Sequence, residues 1–217
     1  MSDLPGRVVV ALDPEAPSEV ALEIARHLSQ GAASELLGLF VEDARLLAHA
    51  GSALAREIVL TGTERPLERT ALERQIRAQA EEQRRRFESA AARLGLRHAF
   101  QVARGEWLAE LVREATDAEG LVVSVARAAA LRGASAGAMR ELARAPLRNV
   151  LFAREGWSTG RRIVTLLTQI ERDVASLEAA ARFARATRSP LTVLAAAASR
   201  DAELERCVAR SEEHTSE

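Results

Sequence analysis

Residues 7–12 read RVVVAL, and Asp13-Pro14 follows at once. A run this short, apolar and rich in β-branched residues suits a strand buried on both faces. Pro14 biases Asp13 to an extended conformation, so the strand ends there and a loop begins. From Pro17 to Gln30, apolar Val20, Leu22, Ile24, Ala25 and Leu28 mix with Glu19, Glu23 and Arg26 in a roughly helical period, and Gly31 is a reasonable stop. Leu36 to Val41, LLGLFV, forms the next strand and is followed by Glu42-Asp43.

Residues 44–66 have weak periodicity, with turn signals at Gly62 and Pro66; they read as a connection with a short helix around Leu46 to Ile58. Leu67 to Leu94 reads as a long amphipathic helix, with Leu72, Ile76, Ala80, Gln83, Phe87, Ala91 and Leu94 on one stripe. Its other face pairs Glu73 with Arg77, Glu81 with Arg85 and Glu82 with Arg86, each worth about 0.2–0.5 kcal/mol. Those glutamates make the run Arg84-Arg85-Arg86 a solvated helix face rather than a basic patch. Strand His98–Ala103, helix Glu106–Thr116, strand Gly120–Val125, helix Gly137–Arg144 and strand Asn149–Ala153 complete the pattern.

Strands alternating with helices imply an α/β fold: a doubly wound five-stranded parallel sheet, expected order 3-2-1-4-5, with right-handed crossovers and helices on both faces. Ligands in such sheets bind at the carboxyl ends of the strands, where the order reverses, and Asp13 falls there. A carboxylate in that place has two readings. It is a ligand contact, or it is a turn and helix-cap acceptor worth typically about 1 kcal/mol.

Of 217 residues, 47% are hydrophobic and 28% charged, with a net charge of −1, so no global field draws the chain to nucleic acid or an anionic membrane. Lysine and tyrosine are both absent, and every basic residue other than histidine is arginine. That removes the P-loop lysine and Schiff-base chemistry. His27, His49 and His98 lack metal-ligand spacing, and a single cysteine, Cys207, excludes a disulfide framework. Trp107 and Trp157 read as packing residues, and sparse aromatics argue against a nucleic-acid surface. The opening MSDLPGR has no apolar core of a signal peptide, and no run is long enough to span a bilayer; the expected location is the cytoplasm. Gly133-Ala134-Ser135-Ala136-Gly137 spells G-x-S-x-G, but residues 126–132 separate it from the preceding strand. The only histidine downstream is His214, so a serine hydrolase is set aside as a remote alternative.

Residues 162–167, RIVTLL, echo RVVVAL at an offset of 162 − 7 = 155. The same offset relates Leu22 to Leu177, Glu23 to Glu178, Ala25 to Ala180, Ser34 to Ser189 and Leu39 to Leu194. This reads as a tandem duplication whose second copy, residues 160–209, stops after its second strand, with Thr168 where the first copy has Asp13. Residues 210–217, RSEEHTSE, fit neither helix nor strand and resemble the translation of a sequencing adapter. They are expected to be a non-native tail, the natural chain continuing beyond Ala209.

Three segments carry a family resemblance: VVVALD with its following helix and LLGLFVED; VARGEWLAELVREATDAEGLVVSVA at 102–126, with Gly105 at the turn; and GAMRELARAP with NVLFAR. Residues 5–155 resemble the universal stress protein family, and residues 160–198 resemble a second, partial copy. The first domain is accordingly expected to span residues 1–155. ATP-binding members of that family carry G-x2-G-x9-G-[S/T] after the fourth strand. Glycines there let the backbone approach phosphate, and the last pair opens a helix whose free N–H groups hold an anion. The matching positions are Ser124, Arg127, Gly137 and Ala138, of which only Gly137 keeps its type. Ser124 and Arg127 add side chains where phosphate would lie, Arg127 either offering charge or filling the site, and Ala138 removes a hydroxyl. Asp13 and Val41 fall where the family holds adenosine. The resemblance implies a non-enzymatic cytoplasmic stress protein with weak or lost ATP binding, acting by protein association. The implied pairing runs through edge strand 149–153, between copies or between repeats, with neither nucleic acid nor membrane as partner. The alternative is an ATP- or AMP-binding switch that uses Asp13, Val41 and the 124–138 loop.

Overall fold

The computed structural model describes residues 7–13, 18–28, 35–50, 56–58, 64–125, 134–154, 156–167 and 170–195. Its strands are β1 (Arg7–Leu12), β2 (Glu35–Asp43), β3 (Arg56–Ile58), β4 (Glu64–Pro66), β5 (His98–Gly105), β6 (Gly120–Val125), β7 (Val150–Arg154), β8 (Ile163–Leu167) and β9 (Leu191–Ala195). Its helices are α1 (Ser18–Leu28), α2 (Ala44–Ala50), α3 (Arg69–Arg93), α4 (Trp107–Ala115), α5 (Ala134–Arg144) and α6 (Ile170–Ala186). The chain divides into two compact units, Met1–Glu155 and Gly156–Glu217.

In the first unit the main sheet runs β5-β2-β1-β6-β7, every pair parallel. Counting only that sheet's strands, the order is the expected 3-2-1-4-5. Strand β1 lies at its centre, with Val8 opposite Leu36 on one side and Gly120 on the other. The apolar run RVVVAL is needed because both of its faces are covered. Val9 and Ala11 pack with Leu37, Leu39, Leu121 and Val123 beneath Leu111 and Ala115 of α4 and Leu142 of α5. Side chains of the other parity face α1 and α3, which touch each other and the sheet.

Gly38 of β2 belongs to that second face, and the Phe87 ring of α3 lies directly over it. A Cβ at Gly38 would stand 2.8 Å from the ring, and Phe87 is fully buried. The glycine therefore lets a bulky aromatic close the α3 side, where His98 and Phe100 of β5 flank the same ring. At the other end of the core, Phe40, Leu47, Ile76 and Ala80 join β2, α2 and α3.

Several boundaries differ from the sequence reading. The helix expected around Leu46 to Ile58 begins at Ala44 and ends at Ala50, and Arg56–Ile58 instead pairs antiparallel with Glu64–Pro66. Three-residue strands are too short to display a period of two, and only Gly62 and Pro66 hinted at the reversal. Strands β2 and β5 run on together, with Glu42 opposite Arg104 and Asp43 opposite Gly105. Edge strand β7 starts at Val150 rather than Asn149, whose side-chain amide donates to the Glu119 carbonyl at 2.8 Å. Helix α5 opens at Ala134, not at Gly137, because Ala134 and Ala136 favour helix and extend it towards the N-terminus.

In the second unit β8 and β9 form a two-stranded parallel sheet joined by α6. Leu167, Leu177 and Phe183 are buried between them, and Trp157 stacks at 5.8 Å from the Phe183 ring. The register repeats that of the first unit. Adding 155 to the pair Val8 and Leu36 gives Ile163 and Leu191, which are paired.

The Gly38–Phe87 contact gives a direct test of this core. Gly38→Ala should lower the stability of the folded state by about 1–3 kcal/mol in urea denaturation, the usual cost of overpacking. In a Phe87→Ala background the same change should be close to neutral, because the ring it strikes is gone. Equal costs in the two backgrounds would contradict this packing.

Candidate functional site

The carboxyl ends of β1, β2 and β6 meet where the strand order reverses, with β2 and β5 to one side of β1 and β6 and β7 to the other. Strand β1 stops at Leu12, opposite Phe40, while β2 continues through Val41, Glu42 and Asp43. That overhang forms a wall beside Asp13, which is half-buried just past the end of β1. Val41, also half-buried, packs against the cluster beneath α4. The structure thus brings Asp13 and Val41 to neighbouring places at one strand end.

Ser124 lies on the other side of β1, near the end of β6 and paired with Ala153 of β7. Val123 belongs to the cluster beneath α4 and α5, so alternation turns the half-buried Ser124 towards the opposite face of the sheet. Val41 and Ser124 therefore point to different layers. Arg127 and the rest of residues 126–133 lie outside the described residues, as do Thr168, Cys207 and residues 210–217.

Gly137 and Ala138 are the fourth and fifth residues of α5. Free N–H groups at a helix start belong to its cap and first three residues, here Ala134, Ser135 and Ala136. The expected role of Gly137 as the helix-opening residue is thus corrected: it sits one turn inside. It is exposed, and among the described residues nothing lies within 4 Å of where a Cβ would stand. In a helix interior a glycine costs about 1 kcal/mol relative to alanine. Ser135 is the second residue of the same helix, not a strand-to-helix elbow.

Three residues that sequence reasoning left aside shape the rim. Asp43 accepts hydrogen bonds on Oδ1 from the backbone N–H of Arg45 at 2.8 Å and of Leu46 at 3.4 Å, which caps α2. Arg45 then reaches Glu106, the residue before α4, at 2.6 Å. Both partners are substantially exposed, so the pair contributes at most about 1 kcal/mol. It nevertheless ties α2 to the start of α4 at the crevice mouth. An Asp directly between a strand and an apolar helix carries a legible cap signal; Arg45 and Glu106 are too far apart in sequence to carry one.

Charged side chains on α3 and α4 are paired locally. The Glu73 carboxyl is held below the usual range because the Arg69 Nε donates to it at 3.0 Å, with smaller help from Arg104 and Arg77. Arg113 is shifted upward by its hydrogen bonds to Glu110. Its second partner, Glu114, accepts from the side-chain amide of Gln101 on β5 at 2.9 Å. Among the described residues no group of three or more His, Cys, Asp or Glu could hold a metal ion, and no helix is long and apolar enough to cross a membrane.

No family model matches the sequence, and no curated protein matches it. Solved structures do. A universal stress protein from Archaeoglobus fulgidus DSM 4304 matches at 14% identity with a TM-score of 0.63, over 97% of this chain and 72% of that one. The hypothetical protein MJ0577, solved as a test case of structural genomics, matches at 15% identity with a TM-score of 0.50, over 70% of this chain and 98% of that one. At such identities the likeness establishes the fold. The chain has the α/β fold of universal stress proteins, a five-stranded parallel sheet covered by helices.

Proposed function

We propose that the chain is a universal-stress-like cytoplasmic protein, non-enzymatic, acting through protein association with weak or lost nucleotide binding. The observation that carries the nucleotide part is the place of Gly137-Ala138 one turn inside α5. A phosphate cradle needs a backbone that approaches the anion and free N–H groups aimed at it. Neither belongs to Gly137 or Ala138, and Ser124 keeps a side chain where the family has a glycine. Asp13 and Val41 at neighbouring strand ends favour a second reading, a nucleotide switch that grips the adenosine end alone.

The association part is supported by β7. It is an edge of the five-stranded sheet, with half-buried Val150, Leu151 and Phe152, and an edge strand presents backbone N–H and C=O groups to a further strand. The pairing we propose runs through residues 149–153, either between copies of the chain or between repeats. Duplication itself is supported by the 155-residue offset of the paired strands and by a structural match that extends over 97% of the chain.

Two measurements test the reading. Thermal-shift titration with Mg-ATP should show at most a small stabilisation at 1 mM, about 0.4 kcal/mol for a dissociation constant no tighter than 1 mM. A large shift that Asp13→Ala abolishes would favour the switch instead. Sedimentation equilibrium should show a mass above the 23.5 kDa of one chain, rising with concentration. A single species of one-chain mass at all concentrations would count against association between copies.

A further inference from the structure

Strand β5 is the other edge of the five-stranded sheet and the longer one, 8 residues against the 5 of β7. It pairs with β2 in unbroken parallel register from His98 to Gly105, with neither a bulge nor a proline to blunt the edge. The Arg97 carbonyl accepts from the Leu36 N–H at 2.9 Å, so by alternation the backbone groups of Ala99, Gln101 and Ala103 turn towards β2. Those of His98, Phe100, Val102 and Arg104 turn the other way, to a side where no described strand pairs.

Side chains of that parity are what an added strand would meet. The Phe87 ring lies against His98 and Phe100, but Val102 is 46% exposed and Arg104 is exposed beyond it. The Glu73 carboxyl of α3, held below the usual range first by its hydrogen bond from Arg69, also feels Arg104 and then Arg77. A strand edge and a helix thus bring their guanidinium groups to one place. Among the described residues neither Arg77 nor Arg104 forms an ion pair. The inner neighbour shows which pattern fits. Strand β2 sets Phe40 opposite Val102 and Glu42 opposite Arg104, an apolar residue followed two positions on by a carboxylate. A parallel strand on the open side would meet the same two side chains from their other flank.

We propose that the outer edge of β5 takes up an extended acidic segment of a partner protein as a further parallel strand, with an apolar residue over Val102 and carboxylates against Arg104 and Arg77. Backbone hydrogen bonds supply the affinity of such strand addition, and the arginines select the sign of the segment's charge. This goes beyond association between copies of the chain. It is independent of nucleotide binding and of pairing through β7.

The test is fluorescence anisotropy of a labelled peptide, Thr-Glu-Thr-Phe-Thr-Glu-Asp-Thr, titrated with the chain, followed by hydrogen exchange of the complex. Saturable binding is expected, with slowed exchange at the Phe100, Val102 and Arg104 amides and no change at Val150–Arg154. Arg77→Glu and Arg104→Glu together should weaken binding about tenfold or more, two charge pairs being reversed at a partly exposed site. Arg93→Glu makes the same change in charge as either single substitution but lies at the far end of α3, and should leave binding unchanged. Both edge arginines are exposed, and circular dichroism with melting checks that each variant is folded. A peptide with arginine in place of its acidic residues should not bind the unmodified chain. Absence of saturable binding to the folded chain would overturn the proposal, as would equal binding of the arginine peptide or binding that leaves those three amides unprotected. Protection of the same amides that rises with chain concentration and that the peptide does not displace would assign the edge to a second copy, and would also overturn it. A chain that sediments as a monomer yet binds the acidic peptide with this protection would refute pairing through β7 and support the proposal.

Discussion

Strand β1 must be apolar on both faces at once, and the arrangement of the first unit follows from that constraint. Val8, Val9 and Val10 are fully out of water and Ala11 and Leu12 nearly so, while their backbones pair with β2 on one side and β6 on the other. Full burial of a valine or leucine side chain is worth about 1.5–3 kcal/mol. That gain is available only if helices close both faces of the sheet. Helices α4 and α5 close one, α1 and α3 the other, and Gly38 admits the Phe87 ring on the second. A parallel sheet with a central strand of this kind puts its strand-order reversal beside β1, and the crevice with Asp13 and Val41 is the consequence.

Much of this was legible in residues 7–41 and 98–125. RVVVAL, LLGLFV and GLVVSV read as strands because a doubly covered strand leaves a continuous apolar run, and they occupy the interior of the sheet. The stripe of α3 was equally plain, since Ile76, Ala80, Gln83, Phe87 and Ala91 are its buried face. What escaped was local and short. The β3–β4 ribbon has three residues a side and no readable period. The start of α5 was placed at Gly137, whereas the alanines before it carry the helix a turn further upstream. At the crevice, the positions of Asp13 and Val41 followed from strand ends, but the Arg45–Glu106 pair depends on two loops meeting in space. No sequence window contains that information.

The two units set the same strand register to different uses. In the first, positions 9, 11, 37 and 39 lie under α4; in the second, three of the four equivalents, Val164, Leu166 and Leu194, are exposed. Among the described residues the second unit is a two-stranded ribbon with one helix, and three or more strands or further helical cover are the usual requirement for independent stability.

Native-state hydrogen exchange tests the central claim, that burial on both faces of a strand governs stability in this chain, most directly. Amides of Val8–Leu12 and Leu36–Phe40 should exchange only through global unfolding and be the slowest in the protein. Those of Ile163–Leu167 should exchange faster, by on the order of a hundredfold, through local opening of the two-stranded ribbon. Protection of β8 equal to that of β1, in the isolated chain as a monomer, would contradict the account.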